Sequence, residues 1–342
     1  MSDDDAPPRE PHSGAGASAP GRGRRHRETA APAAGFRSYY GRPVLKKPVW
    51  EWEVPAYLFT GGLSAGSALL AAGADLTGRP ALRRTGRLGG FAALLASTFL
   101  LIADLGRPER FHHMLRVVKP TSPMSVGTWI LVAYGPGSGL AAAAELLPPS
   151  WRATRPGRLL HRAGRPGGLW AAAFAPALAS YTAVLLSQTA VPAWHEARRE
   201  LPFLFAGSAA ASGAGLGMLL TPMTEAGPAR RLAAVGAAAE LAAARSIEHR
   251  PGLETQAYSR GRAHRLRRAA ERLTLGGAVT AATAARRSRA AAAAAGLALL
   301  TGSVLQRFGT FAGGVASTED PAYVVVPQRA RLDTAPGRGL GR

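Results

Sequence analysis

The feature that most constrains the fold is a series of apolar stretches separated by charged or proline-rich connections. The first five lie at 54–74, 88–105, 126–147, 169–191 and 201–222. Three shorter, alanine-rich stretches follow at 229–244, 273–285 and 290–306. A helix that crosses a bilayer needs about 20 predominantly apolar residues, and only the seventh stretch, with 13, falls far short. The chain is therefore predicted to be an all-α, polytopic membrane protein with about eight transmembrane helices.

Composition excludes several classes of partner and cofactor. The 342-residue chain has no cysteine, so it has no disulfide and no thiolate ligand for zinc or an iron–sulfur cluster. Any such centre would belong to a partner. The net charge of +21 could indicate nucleic-acid binding, but the arginines lie in connections and tails between apolar stretches. That distribution is typical of contact with the anionic headgroups of a lipid bilayer, and it argues against nucleic acid.

An internal similarity indicates how the spans are grouped. The segment that begins at Glu53, EVPAYLFTG, resembles the segment that begins at Glu200, ELPFLFAG, and four spans separate the two. Both segments would enter the membrane from the same side, which indicates two parallel four-helix bundles; chance similarity in an alanine- and glycine-rich chain is the alternative. The predicted organisation is a disordered N-terminal tail at 1–36, a first bundle at 37–196, a second bundle at 197–312 and a disordered, extended C-terminal tail at 313–342.

The connection between the second and third spans, residues 102–129, is dense with charge, and we call it the collar. It begins with an acid, Asp104, at the end of an apolar run. Its prolines fix φ and lack a donor, so no single helix runs through it. The collar is therefore predicted to lie at a membrane surface, between helices that hold charge only at high cost. An ordinary solvated connection between two spans is the alternative.

Two motifs resemble those of a known family. The first is WEWEVPAYLFTGGLSAGSALL at 50–70, and the second is DLGRPERF at 104–111, followed by KPTSPMSVGTW at 119–129. Together they resemble the NrfD/polysulfide reductase membrane-subunit family, and ASYTAVLLSQTAVPAW at 179–194 extends the similarity. The resemblance implies an anchor of a molybdopterin oxidoreductase in the cytoplasmic (inner) membrane. It also implies electron exchange with quinone, expected to be menaquinone, at a site in the first bundle.

The histidines argue against a haem-binding bundle. All eight fall in predicted tails, loops or helix ends: His12, His26, His112, His113, His161, His195, His249 and His264. Haem inside a bundle needs axial ligands that face each other at depth, and the predicted spans offer no such pair. The chain is therefore predicted to bind no haem and no other redox metal.

Quinone chemistry without a metal needs hydrogen bonds to the two carbonyls and a proton path. Glu53 and Tyr57 lie four residues apart on one helix face, and the resemblance implies that this face contacts quinone. Tyr181 lies inside the fourth span and matches the other quinone-side tyrosine of the family. The alternatives are an interfacial anchor for Tyr57 and helix packing with a backbone hydrogen bond for Tyr181.

Further charged residues have two interpretations each. Asp104 suits proton delivery to a quinone, and a structural pair with a collar arginine is the alternative. Arg107, Arg110 and Lys119 suit docking of an acidic partner or of lipid headgroups. Glu240 in the sixth span suits a proton path, but in an interfacial helix it would simply be solvated.

Two function classes follow from these features. The first is a quinone-interacting membrane subunit that exchanges electrons with an iron–sulfur subunit, which in turn serves a molybdopterin catalytic subunit. The second is a secondary transporter or proton channel that acts alone. Transporters typically break helices at the midplane, whereas the prolines here cluster at helix ends. The sequence therefore favours the membrane subunit.

Overall fold

The computed structural model describes residues 44–250 and 252–334, and no β-strand occurs in that part of the sequence. Its α-helices are α1 (Glu53–Leu76), α2 (Pro80–Ala103), α3 (Pro123–Leu146), α4 (Pro149–Arg152), α5 (Arg155–Ser187), α6 (Pro192–Glu196), α7 (Leu201–Leu220), α8 (Gly227–Glu248), α9 (Gly261–Ala282), α10 (Arg289–Glu319) and α11 (Ala322–Thr334). Three 3₁₀ segments lie at Pro108–Arg116, Glu254–Ser259 and Ala284–Arg286. The predicted all-α class is confirmed.

Five of these helices, α1, α2, α5, α7 and α10, are long and apolar enough to cross a membrane, judged by length and composition. They support the prediction of a multi-pass membrane protein. The other three predicted spans, 126–147, 229–244 and 273–285, fall largely within α3, α8 and α9. Their crossing of the bilayer stays a prediction, and so does the total of about eight.

Helix α9 differs in length from its predicted span. It has 22 residues and begins at Gly261, whereas the apolar pattern placed only 273–285 in a helix. Its first turns carry several arginines, which look like a solvated connection in the sequence. One of them, Arg267, is buried and pairs with Glu248 of α8 at 3.4 Å. Because Glu248 neutralises the buried Arg267, helix α9 can begin within this basic segment.

The predicted extended chain from residue 313 onward is wrong as far as Thr334. Helix α10 continues to Glu319, and α11 follows it. The glycines that suggested irregular structure instead permit close packing, because a Cβ at Gly313 would overlap the Tyr258 ring and one at Gly314 would overlap the Trp194 ring. The predicted N-terminal tail at 1–36 lies outside the described residues.

The long helices contact one another in two closed sets. In the first set α1, α2, α3 and α5 pack in a ring, and in the second set α7, α8, α9 and α10 do the same. The sets meet mainly where α1 packs against α7. All described residues belong to one compact unit, so the boundary between two bundles near residue 196 stays a prediction.

The first set has two distinct ends. At one end the start of α1 lies beside the end of α2, where Ser97 Oγ donates to the Tyr57 carbonyl oxygen at 3.1 Å. We call it the collar end, because the collar leaves α2 there. At the opposite end, the far end, Arg87 near the start of α2 pairs with Asp75 near the end of α1 at 3.0 Å.

Candidate functional site

Tyr57 is placed by the first turns of α1 and faces protein. Its side chain is 5% exposed and belongs to a buried cluster with Leu58 of the same helix and Ala183 of α5. The hydrogen bond from Ser97 to its backbone carbonyl holds this turn of α1 against α2. Such burial is expected of a site residue rather than of an anchor that faces lipid headgroups. Glu53, one turn earlier, is also buried, at 6% exposure.

Tyr181 is placed by α5 and packs against α3. A Cβ at Gly127 would overlap the Tyr181 ring, so the ring fits against the helix only because residue 127 is glycine. The side chain is partly buried and borders the apolar cluster that contains Leu178 and Ala179. A phenol in such surroundings needs a polar partner for its hydroxyl, and a quinone oxygen is a suitable acceptor.

Three of the predicted site residues come together at the collar end. Tyr181 of α5 and Asp104, which caps the end of α2, both interact electrostatically with Tyr57 of α1. The Asp104 backbone N–H donates to the Leu100 carbonyl at 3.1 Å, so this acid completes the last turn of α2. The Tyr57 phenol therefore lies within electrostatic range of a second phenol and of a carboxyl group, each on a different helix of the first set. This arrangement offers two hydrogen-bond donors and one proton-exchanging group.

A cleft lies at the end of α5 that carries Tyr181. It has a volume of about 930 Å³ and is lined by the end of α5, by α6 and by α11, with Val184, Ser187, His195 and Tyr323 among its walls. Tyr57, Tyr181 and Asp104 do not line it. Val184 follows Tyr181 by about one helical turn, so the cleft reaches the same end of α5 as the site.

The collar places its basic residues on the surface. Arg107, Arg110 and Lys119 are exposed, and the 3₁₀ segment between them has no buried residue. Large apolar side chains are exposed among the charges: Phe111, Leu115, Val117 and Val118. Ser125 Oγ accepts from the Lys119 N–H at 3.0 Å and donates to the Val117 carbonyl at 3.0 Å, which ties the collar to the start of α3. The collar therefore presents a mixed basic and apolar surface.

Glu240 lies inside the second helix set rather than at a surface. It is 1% exposed, and Thr274 of α9 donates to its Oε1 at 3.2 Å. Arg307 of α10, also 1% exposed, interacts with Glu240 electrostatically. Arg307 Nη2 donates to the Phe205 carbonyl at 2.9 Å, and its guanidinium lies 3.8 Å from the centre of the Phe205 ring. The alternative of a solvated Glu240 is wrong.

Arg307 was not singled out from the sequence, although this arginine directly follows the predicted eighth span. The predicted eighth span ended at residue 306, because a charge normally marks the end of an apolar stretch. Helix α10 instead continues for twelve residues beyond Arg307 and buries it. Its carboxylate partner lies on another helix, 67 positions earlier in the sequence.

A second missed group of charges lies at the far end of the first set, and we call it the far-end cluster: Asp75, Arg83, Arg87 and Glu145. Glu145 Oε1 accepts from Arg83 Nε at 2.7 Å and from Arg87 Nη1 at 3.0 Å. Asp75 pairs with Arg87 at 3.0 Å and with Arg83 at 3.4 Å. Both carboxylate side chains are 9% exposed. The cluster joins α1, α2 and α3, and the exposed Arg165 of α5 approaches Asp75 at 3.7 Å.

The polar groups of the candidate site are hydroxyl and carboxyl groups, which suit proton exchange and hydrogen bonding. Within the described ranges, no three His, Cys, Asp or Glu side chains lie close enough to hold a metal ion. His112 and His113 stack edge to face in the exposed collar, with ring centroids 4.4 Å apart. The hydroxyl and carboxyl groups of the site therefore suit an organic ligand with polar oxygens.

Comparisons with known proteins point to one family. The family model described as "Polysulphide reductase, NrfD" matches residues 44–241, which is more than half of the sequence. The matched region contains both motifs that carried the resemblance, all of α1–α7 and most of α8.

Curated relatives match over shorter stretches. One component of the polysulfide reductase of Wolinella succinogenes is 34% identical over 94 residues, or 26% of this chain and 30% of that protein. One component of the selenate reductase of Mesobacillus selenatarsenatis is 37% identical over 79 residues, which are 22% of this chain and 18% of that protein. Protein NrfD of Escherichia coli is 33% identical over 96 residues, which are 25% of this chain and 29% of that protein. The protein thus aligns with less than a third of each relative.

Proposed function

The chain belongs to the polysulphide reductase NrfD family, and we propose that it is the quinone-reactive membrane subunit of a molybdopterin and iron–sulfur oxidoreductase complex. The observation that carries the proposal is the electrostatic interaction of Tyr57 with both Tyr181 and Asp104 at the collar end of the first helix set. The names of two relatives, which are parts of a polysulfide reductase and of a selenate reductase, support membership in a reductase complex.

Each residue of the site has a role in this proposal. The Tyr181 hydroxyl donates a hydrogen bond to one carbonyl of a quinone, expected to be menaquinone, and Tyr57 and Glu53 face the other end of its ring. Asp104 exchanges protons with the bound quinone, because a carboxyl group beside the ring can hold and release them. Electrons come from another protein, since this one has no cysteine to hold an iron–sulfur cluster.

The partner that supplies the electrons docks on the collar in this proposal. Arg107, Arg110 and Lys119 attract an acidic surface, and the exposed Phe111 and Val118 offer apolar contact. An iron–sulfur subunit bound there would lie directly above the quinone site. The molybdopterin subunit would bind further out, and the whole assembly would sit on the cytoplasmic (inner) membrane.

A second candidate function is a proton channel or secondary transporter that acts alone, and the buried Glu240–Arg307 pair favours it. Ionisable groups inside a membrane helix bundle often mark an ion path. In the main proposal, Glu240 would belong to a proton path through the second set. In the second candidate, the protein alone would carry ions in liposomes without quinone or any partner.

The test of the main proposal separates quinone chemistry from the activity of the soluble subunits. Tyr181→Phe keeps the ring and removes one hydrogen bond, which costs about 0.5–1.5 kcal/mol, or up to about tenfold in quinone affinity. Asp104→Asn should lower turnover more than quinone binding, because an amide can donate a hydrogen bond but cannot relay a proton. Both variants should keep full activity with an artificial electron acceptor.

Tyr258→Phe is the matched control for this experiment. Tyr258 is also buried, and its hydroxyl already has a protein acceptor, because it donates to the Ala193 carbonyl at 3.1 Å. The control should keep quinone-linked turnover. Equal loss of quinone-linked and dye-linked activity in Tyr181→Phe and Asp104→Asn would show damage to assembly and would contradict the assignment of the site.

A further inference from the structure

We propose that four arginines at the far end bind the headgroup of an anionic phospholipid with two phosphate groups, and that the bound lipid joins the two helix sets. We call them the arginine group: Arg79, Arg230, Arg231 and Arg286. Arg79 lies in the connection between α1 and α2, whereas the other three lie at the start of α8 and just after α9. This site is separate from the quinone site, which lies at the collar end.

Hydrogen bonds place the arginine group where the two sets meet at the far end. Arg79 Nη1 donates to the Thr224 carbonyl, in the connection between α7 and α8, at 3.4 Å. In the same connection, Glu225 Oε2 accepts from the backbone N–H groups of Ala81 at 2.8 Å and of Leu82 at 3.2 Å, at the start of α2. A connection of the first set and a connection of the second set therefore lie side by side here.

The charges of the arginine group repel one another. Arg230 interacts electrostatically with the other three members, and each of these interactions is between two positive charges. A Cβ on Gly227, the first residue of α8, would lie 3.8 Å from Arg230 Nη2 and 4.0 Å from Arg79 Nη1. The two guanidinium groups therefore approach the same point. Like charges held so close together favour the binding of an anion between them.

No acid in the described part of the chain neutralises the arginine group. None of its members forms an ion pair with a carboxylate there. Glu225, the acid nearest to Arg230 in sequence, accepts instead from the start of α2. The Nε of Arg79 is buried and has no hydrogen-bond partner within the same ranges. A buried donor of this kind is normally satisfied by water or by a ligand, so the group offers an anion both charge and a donor.

The chemistry of arginine favours phosphate as that anion. The guanidinium group directs two parallel N–H donors at two phosphate oxygens, and such charge-assisted hydrogen bonds are stronger than neutral ones. A phosphodiester carries one negative charge, so a lipid with two phosphodiester groups balances more of the four positive charges than a lipid with one. Basic pockets between helices at a membrane surface bind headgroups of this class.

Exposed apolar side chains continue from the arginine group toward the membrane interior. Val235 follows Arg231 by one turn on the same face of α8 and is 66% exposed. On the neighbouring α9, Leu275 and Val279 share a face and are 50% and 54% exposed. Arginines at the surface and branched aliphatic side chains deeper in the membrane match the two parts of a phospholipid. We therefore assign a lipid rather than a free anion to this site.

A lipid in this position would hold the two sets together. Its phosphates would contact Arg79 of the first set and the three arginines of the second set, so attraction to a shared anion would replace repulsion across the boundary. A ligand that binds only the folded protein stabilises it, and the effect grows with the ligand concentration. The protein should therefore be most stable in a membrane that contains this lipid.

Native mass spectrometry of the full chain in mild detergent tests the binding. The probes are tetraoleoyl cardiolipin, dioleoyl phosphatidylcholine and inorganic pyrophosphate. The wild type should bind cardiolipin more tightly than phosphatidylcholine, and pyrophosphate should not displace it. Arg231→Gln with Arg286→Gln removes two exposed charges and should weaken cardiolipin binding by about tenfold or more. The control, Arg155→Gln with Arg162→Gln, removes two exposed charges elsewhere at the far end and should leave binding unchanged.

Thermal unfolding separates lipid binding from a purely structural role. Without cardiolipin, the Arg231 and Arg286 double variant should be at least as stable as the wild type, because it removes part of the repulsion. With cardiolipin, the wild type should gain more stability than this variant. A lower stability of the variant without lipid would overturn the proposal, because the arginines would then support the fold by themselves. Equal cardiolipin binding by the two double variants, equal binding of the two lipids, or displacement by pyrophosphate would overturn it too.

Discussion

Glycine sets how closely α1 approaches α7 at the junction between the two helix sets. A Cβ on Gly66 would overlap the Ala209 carbonyl oxygen, and one on Gly213 would lie 2.4 Å from the Gly66 carbonyl carbon. The two backbones are therefore in direct contact, as is common where small residues line a helix interface in a membrane. The proposed quinone site at Tyr57 lies between two and three turns away on the same helix.

Gly66→Ala should destabilise this junction, because the added methyl group has no room. Overpacking of this kind costs about 1–3 kcal/mol. Gly73→Ala on the same helix is the control, since nothing lies within 4 Å of a Cβ there. It should be neutral or slightly stabilising, because alanine favours a helix more than glycine does. Thermal unfolding of the purified complex measures both, and equal stability of the two variants would contradict the close contact.

Some residues can be singled out from the sequence because of the residues directly around them. Tyr181 and Asp104 stand out because polar groups are rare in or beside apolar stretches, and both interact electrostatically with Tyr57. Their roles stay predictions. The burial of Arg87 and Arg307 was not predictable. Each is buried only because a carboxylate from a distant helix faces it, and a sequence pattern does not show that pairing.

The collar is the element that connects the site to the surface. It leaves α2 at Asp104, turns at Gly106, which has φ +57°, and returns to α3 at Pro123. Exposed basic and apolar side chains lie between these points. A surface of this composition suits a protein partner with an acidic, partly apolar face.

Charge reversal in the collar should weaken partner binding. Arg107→Glu with Arg110→Glu should lower the affinity of the iron–sulfur subunit by about tenfold, and more at low salt than at high salt, because exposed charges are screened. The control reverses two exposed arginines at the far end, Arg155→Glu with Arg162→Glu, and should leave affinity unchanged. Copurification across a salt series measures the effect. Equal affinity for both double variants would contradict the docking role.

The sequence predicted which segments form long helices, but it predicted the ends of those helices less well. Apolar length located the long helices, but charges and glycines misplaced the start of α9 and the end of α10. Arg289 shows the reason. In sequence it marks a connection, yet in the structure it donates to the Met218 carbonyl at 2.6 Å and so caps the end of α7. Such contacts depend on the packed structure and leave no trace in local composition.

For the molecule as a whole, the all-α membrane class followed from apolar length alone, since only helices satisfy the backbone inside lipid in a sequence of this pattern. The family followed from two motifs, one that starts at the collar end and continues along α1, and one in the collar and the start of α3. The grouping into sets did not follow as directly. The contact between α1 and α7 joins the sets into one unit, and a repeat in the sequence predicts two similar halves without showing how they pack.

Photoaffinity labelling of the native complex with an azidoquinone tests the central claim most directly, because it reports where quinone binds without any substitution. The label should be found by mass spectrometry in peptides from 53–60 and 178–187, and excess unlabelled quinone should abolish it. A competed label confined to the second set, α7–α10, would contradict the assignment of the quinone site to the collar end of the first set.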